Sequence, residues 1–379
     1  MDIKSYILNK LFFPKAVTIN EPGLILTKIV RKDNSSLLIG RLAYLFEDVL
    51  VDLQKKTVEQ IGLAKTDEIW YQIGKDLITS YFLTLKVKKP PKFFLDSVVK
   101  YMLQRFSVTG ITIGNEIDFD KNCLDLQLKG SNNVLHRKSK QGAVLGGIAS
   151  GVLSFLSGEN VEAETNSYEK DGEVFCEIKC SKKYFLRYVP DFLEIKECVK
   201  NYQFDFKDAE KKLKIYENRF SCLNQFLRFK KARMKDNIVY FLGFALMAGE
   251  INTSDHIWRN YEKAGLTDLI SKTLVSSSEK VLKQIFRDNK LDQRGIRDKV
   301  KFLQNMMAGF GWGIPLYRKT KNEIVFDFVY GAQVKTNSFL FYALQLQGFL
   351  NFIFKKKVKL VKIEKVKAKT VISRVVYKI

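Results

Sequence analysis

The stretch Gln141–Cys180, QGAVLGGIASGVLSFLSGENVEAETNSYEKDGEVFCEIKC, decides how the chain is read. It opens with small and apolar residues, breaks at a polar SGEN, and continues as two alternating runs on either side of Asp171 and Gly172. The first run predicts a helix from Gly142 to Leu156. The alternation from Val161 to Tyr168 and from Val174 to Cys180 predicts a hairpin, because a period of two puts every second side chain on one face. Gly147 and Gly151 lie one helical turn apart. They make a smooth strip on which another helix or the sheet can pack closely, so both are read as packing residues. A nucleotide-binding loop is the competing reading of these glycines. It fails because no Lys-Ser/Thr follows and the spacing is not that of a dinucleotide-binding turn. A membrane span fails too, since the apolar stretch from Gly142 to Gly158 is shorter than the about 20 residues a bilayer requires.

Outward from this unit, the alternation around EPG (Glu21–Gly23) predicts an N-terminal hairpin. From Leu37 to Ile61, residues Leu38, Leu42, Leu45, Val49 and Leu53 recur at helical spacing. Further helices are predicted over Asp67–Tyr81 and, after the KKPP break at Lys88–Pro91, over Phe94–Phe106. Gly110–Gly130 reads as two strands with a turn near Asp120. Phe206–Lys235 is a strongly basic amphipathic pattern and predicts a long helical connector.

Beyond the connector the order repeats. Leu37–Gly62 lines up with Val239–Gly265, Gly40 falling on Gly243 and Gly62 on Gly265. Gly110–Gly130 lines up without a gap with Gly311–Gly331, and Gly151–Cys180 with Gly348–Tyr377. Three matches in one order argue for a duplicated domain. The fold class is therefore read as α/β of the α+β type: two copies of a small antiparallel sheet packed against helices, joined by a basic helical connector. The divisions are a first domain over 1–180 with the N-terminal hairpin, a connector over 181–235, and a second domain over 236–379.

A chain of 379 residues, 46% hydrophobic, is long enough for two or three ordinary domains. Its formal net charge of +23 favours a polyanionic partner: nucleic acid, a ribosome or an anionic membrane surface. A well-solvated lysine-rich surface accounts for the same charge. The opening MDIKSYILNKLFFPKAV has no continuous apolar core and no small-residue cleavage site, so a cytoplasmic protein is expected. The five cysteines are odd in number and scattered, which is not a disulfide framework.

The small-residue helix with GGIASG, followed by V-E-A-E-T and DG-E-V-F-C-E-I, resembles the C-terminal half of the 4-vinyl-reductase domain family, which in turn resembles the small subunits of a vesicle-tethering complex. The resemblance covers roughly 37–180, and reaches 236–379 mainly through the first copy. It implies helices against a small antiparallel sheet, and a role in sensing small molecules or in protein assembly. Some members hold zinc with three cysteines and a glutamate. Those positions fall on Gly142, Thr165, Tyr168 and Cys176 here, and on Phe339, Lys362, Lys365 and Ser373 in the second copy. Only Cys176 is kept, so no structural zinc is expected, and no metal or other cofactor is assigned.

The remaining candidates are few. Cys176 and Cys180 share a strand face, but a rise of about 3.3 Å per residue separates their Cα atoms by roughly 13 Å, too far for joint chelation. The two histidines, His136 in what reads as an exposed loop and His256 in mid-helix, complete no catalytic arrangement with a cysteine, so no catalytic residue is named and no enzyme is expected. Trp70, Trp312 and Tyr168 are candidates for an apolar pocket, and equally for core. Two runs are candidates for polyanion binding: Arg228, Lys230, Lys231, Arg233 and Lys235, and Lys355, Lys356, Lys357 and Lys359. Lysines along a sheet edge also guard against edge-to-edge aggregation. The leading expectation is a non-enzymatic intramolecular pseudo-dimer that senses an apolar small molecule or scaffolds a complex. The alternative is a nucleic-acid- or ribosome-associated binding protein.

Overall fold

A computed structural model of the chain describes residues 16–30, 36–84, 87–106, 116–131, 133–200, 209, 211, 213–236, 238–331, 339–367 and 371–379. Two runs of elements follow one another in the same order. The first is β1 (Ala16–Glu21), β2 (Leu24–Val30), β3 (Ser36–Phe46), α1 (Glu47–Ile61), α2 (Leu63–Thr84), α3 (Leu95–Phe106), β4 (Glu116–Asp120), β5 (Asp125–Ser131), α4 (Ala143–Ser157), β6 (Glu162–Lys170) and β7 (Glu173–Ser181). After α5 (Phe192–Lys200) and α6 (Leu223–Arg228) come β8 (Ala232–Lys235), β9 (Ile238–Phe241), β10 (Phe244–Glu250), α7 (Asn252–Lys263), α8 (Thr267–Asp288), α9 (Ile296–Gly309), β11 (Ile314–Lys319), β12 (Glu323–Val329), α10 (Leu340–Phe354), β13 (Lys359–Lys367) and β14 (Val371–Lys378).

Each copy closes its own antiparallel four-stranded sheet, in the equivalent orders β4-β5-β7-β6 and β11-β12-β14-β13. A third sheet is shared. Its order, β1-β2-β3-β10-β9-β8, places three strands of each copy back to back, with β3 and β10 antiparallel at the centre. Helices cross the same boundary, α1 packing on α8 and α2 on α7. The larger of two buried apolar clusters runs across both copies: the Phe46 ring meets Phe310 at 5.4 Å and Phe349 at 6.3 Å, both edge-on.

Several expectations need correction. Leu37–Phe46 is strand, not the start of a helix. β3 sits inside a sheet with both neighbours paired, and Ala43, Leu45 and Phe46 are all buried, so its apolar run lacks the alternation that marks a strand with one wet face. The connector is not one long helix either. α6 ends at Arg228, Lys230 takes a left-handed conformation (φ 56°), and β8 pairs with β9. The second copy's share of the sheet therefore begins before residue 236, while residues 206–208, 210 and 212 lie outside the described residues. So do residues 1–15 and 31–35, on either side of the hairpin that β1 and β2 form, and residues 110–115 of the predicted Gly110–Gly130 pair.

Repeat registers can also be checked strand against strand. Cys180 pairs with Leu126, and Tyr377 pairs with Ile324. With Cys180 matching Tyr377, Leu126 matches Ile324, whereas the ungapped match of Gly110–Gly130 would put it on Asp327. The Gly151–Cys180 match has the same register as the folded hairpins: α4 and α10 are equal in length, and Glu162 and Lys359 open equivalent strands.

Arg41 fastens the copies across the shared sheet. Its guanidinium is buried and donates to the carbonyls of Gly331 (2.8 Å), Gly23 (3.1 Å), Gly311 (3.1 Å) and Tyr330. Nearby, Gly23 N–H bonds Ala308, Tyr44 N–H bonds Phe310, and Gly313 N–H bonds Gly23. At Gly23 (φ 75°) an added Cβ would lie 2.6 Å from the carbonyl carbon of Gly313, so only glycine lets the two turns touch.

Candidate polyanion-binding surface

The glycine strip packs helix on helix. A Cβ on Gly147 would fall 2.1 Å from the Tyr71 carbonyl oxygen, and one on Gly151 would fall 3.3 Å from Ile78 Cβ. Beside this contact lies an ionic core: Lys75 Nζ and Glu162 Oε1 are 2.8 Å apart, with side chains 2% and 1% exposed. Tyr71 donates to the other carboxylate oxygen at 2.5 Å, and Lys75 also donates to the Tyr188 carbonyl at 2.9 Å. Burial holds the Lys75 ammonium below its ordinary pKa, against the opposing pull of Glu162. Across the copy boundary Asp76 accepts from Tyr188 (2.9 Å) and Asn260 (3.0 Å), and burial raises its pKa. These groups are bonded to one another, with Lys75 at the wall of a small space of about 300 Å³, and they read as fastening.

Gly142, Thr165 and Cys176 lie together where α4 begins against β6 and β7. A Cβ on Gly142 would lie 2.7 Å from Cys176 Sγ and 3.2 Å from Thr165 Cβ. Burial pushes the Cys176 thiol up to about 12, which leaves it a thiol at neutral pH. His136 is buried rather than in an exposed loop: Asn133 Oδ1 accepts the Leu135 N–H at 2.8 Å and Arg137 grips buried Glu47 at 2.6 and 2.7 Å, folding the segment inward. His136 Nε2 meets Ser167 Oγ at 2.9 Å. His256 is also buried, in α7.

The three aromatic candidates lie apart. Trp70 is core and donates to Tyr261 at 3.2 Å. Trp312 is core in the other copy and donates to the Tyr44 carbonyl at 2.9 Å. Tyr168, half-buried on β6, stacks on Phe175 at 5.5 Å. No pocket brings them together among the described residues.

The cations are different. Arg228, Lys230, Lys231, Arg233 and Lys235 are all exposed, on the end of α6, the turn after it and β8, an edge strand of the shared sheet. The fold adds Arg219, Arg294, Arg297 and Lys301, which line two neighbouring clefts of about 1060 and 300 Å³ at the N-terminal half of α9, Lys231 lining the smaller. None of these cations makes an ion pair among the described residues, and Asp298 is the single acid in the cleft walls. Phe229, 65% exposed, sits within this run, with the Arg228 guanidinium 5.9 Å from its ring. Sequence reading missed the α9 contribution, although Arg297 and Lys301 lie four residues apart on one helix face, with Arg294 in the turn just before it.

Lys355, Lys356, Lys357 and Lys359 are also exposed, but line no part of these clefts. Lys355 is the left-handed cap of α10, Lys356 and Lys357 form the turn, and Lys359 opens β13, the edge of its sheet. No protein family, curated protein or solved structure matches this chain. No helix among the described residues is long and apolar enough to cross a membrane.

Proposed function

We propose that the protein is a non-enzymatic binding scaffold, a pseudo-dimer within one chain, that holds the phosphate backbone of a nucleic acid against the cationic corner formed by α6, β8 and the start of α9. The observation that carries this reading is the gathering of Arg and Lys side chains, with no ion pair among the described residues, around two clefts with one acid among them. Charges without an acidic partner among the described residues are available to displace counterions from a polyanion. Exposed Phe229 within the basic run adds a face on which an unpaired base can stack. A 4-vinyl-reductase-like ancestry remains part of the proposal, supported by the repeated order of helix and hairpin, and so does a cytoplasmic location. Apolar-ligand sensing draws less support, because its candidate residues lie apart.

The test is a salt titration of binding to duplex and single-stranded RNA. Log affinity should fall linearly with log salt, by about 0.7–0.9 per phosphate neutralised. Lys231→Glu, Arg297→Glu and Lys301→Glu together should flatten the slope without lowering the melting temperature, because exposed charges contribute little to stability. Absence of binding at low salt ends the proposal and leaves the cations as solvated surface and edge protection.

A further inference from the structure

Comparison of the two copies exposes a second surface, distinct from the cationic corner. In the first copy, the groove between α2 and α4 is roofed by the chain itself. The Arg187 guanidinium lies 4.1 Å from the centre of the Tyr71 ring and donates to the Ala163 carbonyl at 3.1 Å. The Tyr188 carbonyl accepts from Lys75, and its hydroxyl bonds Asp76. Val189 and Pro190 wall the remaining space, about 300 Å³. Under this extended strap Tyr71 and Lys75 are buried.

The corresponding groove in the second copy, between α8 and α10, has no strap over it among the described residues. It opens to about 970 Å³, with Val275, Leu344 and Phe352 among its walls. Lys272, Lys283, Lys355, Lys356 and Lys357 line it as well. Its one carboxylate, Glu279, accepts from Asn351 at 3.3 Å.

The rim is more positive in the second copy: Lys89 and Glu159 line the first groove together, whereas the equivalent turn of the second carries three lysines and no acid. Gly158, Glu159 and Asn160 of the first copy correspond to Lys355, Lys356 and Lys357. In the first copy the strap approaches with a cation, and Lys182 Nζ stands 3.6 Å from Glu159 Oε2. In the second, Lys356 occupies that place. A groove of this form accommodates an extended main chain, as the first copy demonstrates, and its lysines would repel a basic strap and attract an acidic one. We infer that the α8–α10 groove receives an extended, acidic polypeptide segment of a partner protein.

The test uses the full chain and two fluorescein-labelled twelve-residue peptides, one alternating glutamate with valine or phenylalanine, the other with lysine in place of glutamate. Fluorescence anisotropy should show binding of the glutamate peptide and not of the lysine peptide. Lys355→Glu, Lys356→Glu and Lys357→Glu together should weaken it at least tenfold, whereas Lys231→Glu with Arg297→Glu and Lys301→Glu should leave it unchanged. In the unaltered protein, the peptide should slow hydrogen exchange in α8 and α10. Equal binding of the two peptides, indifference to the groove triple, or exchange protection elsewhere overturns the inference. So does duplex RNA that displaces the peptide and is itself lost with the groove triple. RNA binding lost only with the cleft triple leaves it standing, so the two surfaces fail or succeed separately.

Discussion

Replacing Lys75 with methionine removes the cation from a site where nearly all its surface is covered. Three hydrogen bonds go with it, the 2.8 Å bond to Glu162, the 2.9 Å bond to the Tyr188 carbonyl and a longer 3.4 Å one to the Val161 carbonyl, as does the ammonium's place 5.7 Å from the Tyr71 ring centre. Glu162 keeps only the Tyr71 hydroxyl of these partners. Breaking a buried pair from one side leaves an uncompensated charge and costs about 3–5 kcal/mol. Glu162→Gln should cost less, because Lys75 retains two carbonyls and glutamine retains an acceptor for Tyr71. The double variant should be more stable than the sum of the two losses implies, with a coupling of about 1–3 kcal/mol. Urea unfolding at pH 7 measures all three variants, and limited trypsin digestion adds a local readout. The strap is pinned through the Tyr188 carbonyl, so cleavage after Arg187 should quicken in Lys75→Met beyond what the global loss explains. A loss under about 1 kcal/mol, or strictly additive losses, would show that the pair neither stabilises the copy nor holds the strap.

Arg41→Met should destabilise the whole protein by at least about 3 kcal/mol, since charge-assisted bonds to several buried carbonyls vanish together, and Arg41→Lys should rescue little because one ammonium cannot reproduce the planar fork; thermal unfolding checks both. Burial holds His136 down to about 4, against an ordinary 6.5, so the unfolded chain binds the proton first as pH falls. Stability contributed by neutral His136 is complete above pH 6.5 and lost as pH drops toward 4, about 3 kcal/mol in all. His136→Gln should flatten that stretch of a stability–pH profile. Gly147→Ala should cost about 1–3 kcal/mol, because its Cβ would press on backbone, while Gly151→Ala, whose Cβ would come no nearer than 3.3 Å to the Ile78 side chain, should cost visibly less by melting temperature.

The parts of the fold legible in sequence are those whose signal is local. α2, α3, α4 and the β6–β7 hairpin carry their own periodicity and turn residues, so they appear where 3.6- and 2-residue patterns place them. β3 hides because both its faces are covered, and a strand of that kind looks like any apolar run. His136 hides because its polar neighbours look solvated until Arg137 meets Glu47, 90 positions away in the chain. The cationic corner was half visible: the run from Arg228 to Lys235 is contiguous, but Arg219, Arg294, Arg297 and Lys301 join it only when α9 packs beside it. The α8–α10 groove was not visible, since Lys272 and Lys356 come to line one groove only in the folded second copy.

Arg41 carries a consequence of another kind. In a two-fold dimer of identical chains every contact is made twice, so a side chain serving one half must be tolerated in the other. β10 (Phe244–Glu250), which pairs with β3 across the pseudo-axis, carries no arginine or lysine. The polar anchor thus stands on one side of the shared sheet's centre and has no counterpart on the other strand. Joining the copies in a single chain releases each from self-complementarity, and the same freedom permits one groove to be sealed by its own strap while its twin stays open.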